Sequence, residues 1–168
     1  GYDISVDGLR PDPRKVAAVR NMPVPTSLRE LRSFLGLCNF LRRWVPNYSD
    51  LTAPLRPLLK KGAFRSEYKP PQLEAFEKLR AAISSAPALA HPRFDRPFHI
   101  YCDASPTGLG AILMQHDDEG QTVVVSYLSK SLTDPQLNYP HHELEALSVM
   151  YALETWQTYF FGQNKVDV

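Results

Sequence analysis

The chain has 168 residues, 43% of them hydrophobic and 22% charged, with a formal net charge of +1; this is an ordinary globular composition, sized for one domain or two small ones. No apolar run approaches the roughly 20 residues that cross a bilayer, and no basic segment followed by an apolar one opens the chain, so neither a membrane span nor secretion is indicated. A net charge this small says nothing about nucleic acid, and any unit below about 80 residues would be marginal alone.

Tyr2, Ile4, Val6 and Leu9 surround an Asp7-Gly8 turn, which predicts a short strand or hairpin arm. Asp12-Pro13 opens a helix that runs to about Arg20, with Pro at its first position, and Pro23 and Pro25 end it. Ser27-Leu28-Arg29-Glu30 is a capping box in which the Ser hydroxyl and the Glu carboxylate satisfy free amides reciprocally. Leu28, Leu31, Leu35, Cys38 and Leu41 then form a helical stripe, closed by Pro46. A third short helix spans about Leu51 to Lys60, punctuated by Pro54 and Pro57, and Gly62 stops it. After a polar connector, Leu73, Phe76, Leu79 and Ile83 mark another amphipathic helix, and Pro87, Pro92 and Pro97 punctuate a junction near residue 90.

Beyond Pro97 the period changes to two. Strands are predicted over Phe98–Cys102, Leu109–Gln115 and Val123–Leu128, with turns at Thr107-Gly108 and over Asp117-Asp118-Glu119-Gly120; turns this short force an antiparallel meander. A long helix follows from Pro140 to Phe161, capped by Gly162, and Lys165 to Val168 begins another strand. Cys38 and Cys102 lie far apart inside apolar-periodic segments, which favours buried thiols over a disulfide.

Charge is unevenly spread. Residues 10–65 are crowded with Arg and Lys against only Asp12, Glu30 and Asp50, and the second half holds most of the carboxylates. A basic half beside an acidic half suits a nucleic-acid cradle next to a metal-using site, although a solvated charged surface reads the same way. Asp103 ends the first predicted strand among small neighbours, and Glu143 lies in the first turn of the long helix. Carboxylates so placed suit Mg²⁺ and phosphodiester chemistry. Equally, an Asp after a strand forms turns and a Glu in a first helical turn complements the dipole. Glu145 reads as a surface acid, and His141 and His142 as exposed capping groups.

Pro97 to Gln115, PFHIYCDASPTGLGAILMQ, resembles the opening strands of RNase H in Ty3/gypsy-type retroelements. Val125 to Leu132 resembles that family's third strand, and Asn138-Tyr139, His142 to Leu147 and Ala152 to Trp156 resemble its first helix. Gly1 to Pro13, GYDISVDGLRPDP, looks like the end of a polymerase palm, Leu28 to Leu37 with Asn39, Phe40, Arg43 and Pro46 like the thumb, and Phe64, Ala75-Phe76, Leu79 and Ala86-Pro87 like the connection. Tyr68 stands where the family usually has Trp.

The resemblance implies a mixed α+β chain: the end of a reverse transcriptase palm (1–13), a thumb (14–62), a connection (63–90) and the N-terminal part of an RNase H-like domain (91–168), with a three-stranded antiparallel meander, a long helix and the start of a fourth strand. By motif position Asp103 and Glu143 are the first two of four metal-binding carboxylates, which hold Mg²⁺ with Mn²⁺ as a substitute. The other two fall beyond Val168, and Asp167 comes too early to be the third, so this chain alone is expected to be inactive and prone to self-association. The polymerase's own catalytic residues are not in these residues, and Gly1 in place of Met suits a piece of a longer product. The implied partners are an RNA–DNA hybrid or template-primer duplex and the rest of the polyprotein, in an intracellular particle or the nucleus and without a membrane. Arg32, Gly36, Asn39, Phe40 and Arg43 share one expected helix face, distinct from the leucine stripe, where arginines could reach phosphates and a bare Gly36 could admit the duplex or, alternatively, a neighbouring helix. A non-catalytic relic or domesticated binding module is the alternative function.

Overall fold

A computed structural model of the chain describes residues 2–161 and 166–168. Two short strands, β1 (Tyr2–Ser5) and β2 (Gly8–Pro11), pair antiparallel. Gly8 takes φ +130°, and a side chain there would strike the Leu89 carbonyl. The bare backbone lets Leu9 and Leu89 exchange both main-chain bonds at 2.8 and 2.9 Å, which ties the hairpin to the segment beyond residue 84.

Helix α1 (Pro13–Asn21) begins where the Asp12 carboxylate accepts the Arg14 amide at 2.9 Å. Helix α2 (Leu28–Phe40) begins at Ser27, whose hydroxyl accepts the Glu30 amide at 3.2 Å. The return bond differs from the expected box. Thr26 offers both an amide and a hydroxyl, and the Glu30 carboxylate takes these at 2.7 and 3.0 Å. The Thr26 amide is the main reason the Glu30 carboxyl is held below its usual range.

Helix α2 stops at Phe40, earlier than Pro46 requires. Leu41 and Trp44 are both buried, and a 3₁₀ turn over Arg42–Trp44 stacks residues three apart on one side. The helix expected over Leu51–Lys60 is split into α3 (Tyr48–Thr52) and a 3₁₀ turn at Arg56–Leu59, because Pro54 and Pro57 have no amide to continue an α ladder. Helix α4 (Pro70–Ser84) buries Ala75, Phe76, Leu79 and Ile83, whereas Leu73, expected on the same stripe, is exposed. One core joins these helices: Leu31, Phe34 and Cys38 of α2, Trp44, Leu55 and the buried face of α4, with Phe34 and Phe76 ring centroids 4.6 Å apart.

The sheet contains β3 (Phe98–Ala104), β4 (Gly108–His116), β5 (Thr122–Ser131) and β6 (Val166–Asp167) in the order β5-β4-β3-β6. The first three form the expected antiparallel meander; β6 runs parallel to β3, with Phe98 opposite Val166. Strand β3 runs two residues further than predicted, because Asp103 and Ala104 pair with Gly110 and Leu109. Leu113 faces Ser126 and Met114 faces Val124, so Val125 is the extra residue of a bulge. Helix α5 (His141–Phe160) lays Leu144, Ala152 and Trp156 on one sheet face against Phe98, Ile100, Ala104, Leu109, Ala111 and Leu113. Its expected cap at Gly162 lies outside the described residues. The other sheet face meets the helical half, where Val124 and Tyr127 pack onto the first core. Among the described residues no helix is long and apolar enough to cross a membrane.

Replacing Phe34 by Ala should lower stability by about 3–5 kcal/mol, since it deletes a fully buried ring from the joint between α2 and α4; the midpoint of urea unfolding reads this directly. Both cysteines are free thiols. Burial pushes the Cys38 thiol up to about 12, and raises Cys102 as well. A thiol whose ionisation lies that high supplies almost no thiolate at pH 8. Cys38 should therefore stay inert to a disulfide reagent in the folded chain and react fully in urea.

Candidate metal centre and nucleic-acid face

Asp103 is exposed near the end of β3, between β4 and the β6 side of the sheet. Its Oδ1 accepts the Ala104 amide at 2.9 Å, which leaves Oδ2 to water or an ion. Ile100, Cys102 and Ala104 face α5, so strand alternation turns Asp103 toward the other face, together with Gly110 across the ladder. Glu143 is exposed in the first turn of α5. The neighbours of these two carboxylates, Ala104 and Leu144, belong to one buried cluster, so both acids adjoin the same end of the sheet. The donors suit Mg²⁺ in kind, being hard, exposed carboxylate oxygens, although Asp103 lies on the sheet face away from α5 and Glu143 on α5 itself. Among the described residues no group of three or more His, Cys, Asp or Glu side chains is assembled to hold a metal. His141 pairs with Glu145 at 3.3 Å one turn along the exposed side of α5, as surface residues do.

On α2, Arg32, Gly36, Asn39 and Phe40 are all exposed, and the buried residues Leu31, Phe34 and Cys38 occupy the opposite side. A Cβ built on Gly36 meets nothing within 4 Å, so no neighbouring helix uses the gap. Arg43 departs from the expected face, because it lies in the 3₁₀ turn and is half-buried. It still rejoins Phe40 through Tyr2. Phe40 and Tyr2 stack with centroids 5.6 Å apart and planes 13° from parallel, and the Arg43 guanidinium lies 5.9 Å from the Tyr2 ring and 5.6 Å from that of Trp44. The Lys15 ammonium sits 4.7 Å from the Phe40 centroid. Asn39 Oδ1 accepts a long bond of 3.5 Å from Arg42. Two of these neighbours, Tyr2 and Lys15, escaped the sequence reading. The rings meet only when the hairpin folds back on α2, and no periodicity within either segment signals that contact.

A model of the RNase H-like domain found in reverse transcriptase matches residues 68–168. The Retrovirus-related Pol polyprotein from transposon 297 of Drosophila melanogaster is 38% identical over 164 residues, covering 98% of this chain and 15% of that protein. The corresponding polyprotein of transposon opus, also from Drosophila melanogaster, is 33% identical over 180 residues, covering 100% of the chain and 18% of its own length. The Transposon Tf2-3 polyprotein of Schizosaccharomyces pombe is 36% identical over 159 residues, covering 95% and 12%. The chain thus spans under a fifth of the curated relatives it matches. Among solved structures, a foamy viral protease-reverse transcriptase in complex with RNA/DNA hybrid superposes with a TM-score of 0.79 at 24% identity, over 99% of this chain and 22% of that one. The foamy viral protease-reverse transcriptase dRH in complex with ds DNA gives the same TM-score and identity over 99% and 29%. These two show a shared fold. With the family model covering more than half its length, the chain belongs to the RNase H-like domain family found in reverse transcriptase, and its sequence is that of the reverse transcriptase/RNase H-like region of a Ty3/gypsy-type Pol polyprotein.

Proposed function

We propose that this region grips an RNA–DNA hybrid along the exposed side of α2 and contributes two carboxylates to a Mg²⁺-dependent site that hydrolyses the RNA strand. The observation that carries the reading is a helix face left bare at Gly36 and rimmed by Arg32, Asn39 and Phe40, in one body with an exposed carboxylate at the end of the central strand. In this reading residues 14–62 act as the thumb, 63–90 as a connection and 91–168 as the RNase H-like unit, with 1–13 closing the palm.

The chemistry divides between the two halves. Arg32 and Arg43 reach phosphates, the Gly36 backbone admits a sugar edge, and Asn39 bonds groove atoms, including the 2′-hydroxyls that distinguish RNA from DNA. Tyr2 and Lys15 hold Phe40, so that its exposed edge packs on sugars at little entropic cost. Asp103 and Glu143 hold Mg²⁺, or Mn²⁺ in its place. When bound, such ions activate water and stabilise the leaving oxygen of a phosphodiester. The remaining ligands and the polymerase active site come from the rest of the polyprotein, the partner with which this region works.

Replacing Gly36 by Ala separates grip from fold. It meets no clash and should raise helix stability by about 0.8–1 kcal/mol, while weakening template-primer binding in the intact polymerase. Phe40→Ala and Arg43→Gln should weaken the same binding with native helicity retained, measured by fluorescence anisotropy at physiological salt. Unchanged affinity in all three would remove the grip from α2.

Asp103→Asn and Glu143→Gln in the intact polymerase should abolish Mg²⁺-dependent cleavage of the hybrid and leave the thermal midpoint within a few degrees of the parent, because both side chains are exposed. Cleavage that survives either change would show that the ion is held elsewhere.

A further inference from the structure

The turn that follows Asp103 is held by a residue from the other half of the molecule. Asp50, on α3, receives two hydroxyl donors on one oxygen: Ser105 Oγ at 2.6 Å and Thr107 Oγ1 at 2.5 Å. A serine hydroxyl has one proton to give and two lone pairs to fill. That of Ser105 gives its proton to Asp50 and accepts the amides of Gly108 and Thr107 at 2.9 and 3.2 Å. The Ser105 amide donates to the Gly108 carbonyl at 2.8 Å, which closes the turn. The hydroxyl of Ser105 is thereby fully committed, and the outermost link is an acid contributed by α3.

The same short helix touches the hairpin at two more points. A side chain at Gly108 would lie 2.5 Å from Ser49 Cβ, and one at Gly110, the ladder partner of Asp103, would lie 3.1 Å from Asn47 Oδ1. Asn47 holds a left-handed φ of 50° just before α3, which sets the helix start against the strand. Ser49 also bonds Ser129 of β5, through its amide at 2.8 Å and its hydroxyl at 2.6 Å. Packing and neutral bonds therefore already dock α3. The carboxylate adds two charge-assisted bonds from α3 to the sheet side, each roughly twice as strong as a neutral bond, and they act on the turn two residues after Asp103.

We propose that Asp50 is a positioning residue: it locks the 105–108 turn, and with it the Asp103 end of β3, to the helical half that grips the duplex. This rests on the function proposed above. It means that, with α3 already docked by packing and neutral bonds, this carboxylate fixes how the Asp103 end of β3 is held against the gripped duplex, so that Asp50 bears on where the RNA strand is cut as well as how fast.

The test uses the intact polymerase containing this region, on a hybrid with a fixed primer end. Asp50→Asn keeps the shape and removes the charge. It should slow cleavage by about tenfold or more, the scale of loss from a small misplacement of reacting groups, and spread the cuts over neighbouring nucleotides. Hybrid affinity and DNA synthesis should remain at parental levels, and the Thr107 and Gly108 amides should exchange with solvent faster, a readout independent of metal and activity. Thr107→Val removes one donor with little change of volume and should shift cut positions and exchange in the same direction to a smaller extent; it keeps the test open should Asp50→Asn fold poorly. If both variants cut at the parental rate and positions with parental amide exchange, while Asp103→Asn is silent, the positioning role of Asp50 is overturned and the metal reading stands. Full cleavage by Asp103→Asn overturns the metal reading and this proposal with it.

Discussion

The close approach of α3 to β4 is the constraint on which the rest of the molecule depends. It works only because position 108 carries no side chain: a methyl group there would press on Ser49 Cβ at 2.5 Å. With the backbones this near, Ser49 reaches Ser129, Asn47 reaches the Gly110 side of the ladder, and Val124 and Tyr127 enter the core built by α2 and α4. The sheet then has apolar cover on both faces, α5 on one and the helical half on the other. Neither half would manage this alone, since units of this size bury too little surface to be comfortably stable.

A second consequence is the two-sided character of α2. Its buried side is spent on Phe76 and the rest of the first core, while on its exposed side Phe40 meets Tyr2 and Lys15 and Gly36 faces open space. Glycine in a helix interior is a standing cost, and here no neighbour collects a benefit from it. The proposed duplex grip would give that cost a use, with the cations and rings beside Gly36, namely Arg32, Arg43, Lys15 and Phe40, as its chemistry.

The linker between the halves is held as firmly as the elements. The Gln115 side chain is buried and mimics a strand partner, accepting the Arg93 amide at 2.8 Å and donating to the Arg93 carbonyl at 2.7 Å. Arg93 and Arg96 both engage Asp118 at the β4–β5 turn. Together with the Leu9–Leu89 exchange, these bonds leave little slack in the proline-punctuated segment around residue 90. The link proposed from position 50 to the Asp103 end of β3 is separate from this linker and direct, through the hydroxyls of Ser105 and Thr107.

By itself the sequence determined most elements whose signal is local, the helix expected over Leu51–Lys60 being the exception. Period-two runs after Pro97 and short turns required the meander, the Ser27 cap and the leucine stripe required α2, and Asp12-Pro13 required α1. The family was legible too, because long motifs in order carry more information than any spacing. Tertiary structure decided what depends on contacts between distant segments. Burial of Leu41 and Trp44 ended α2 at Phe40 and took Arg43 off its face; the cross-strand partner Gly110 drew Asp103 into β3; and the folded-back hairpin set Tyr2 on Phe40. Asp50 read in sequence as one of the few acids in a basic half. Only the docking of α3, more than fifty positions from its partners, turned it into the acceptor for Ser105 and Thr107. Backbone periodicity and capping are written within a few residues of chain, whereas a hydrogen bond across that separation exists only after both cores have formed.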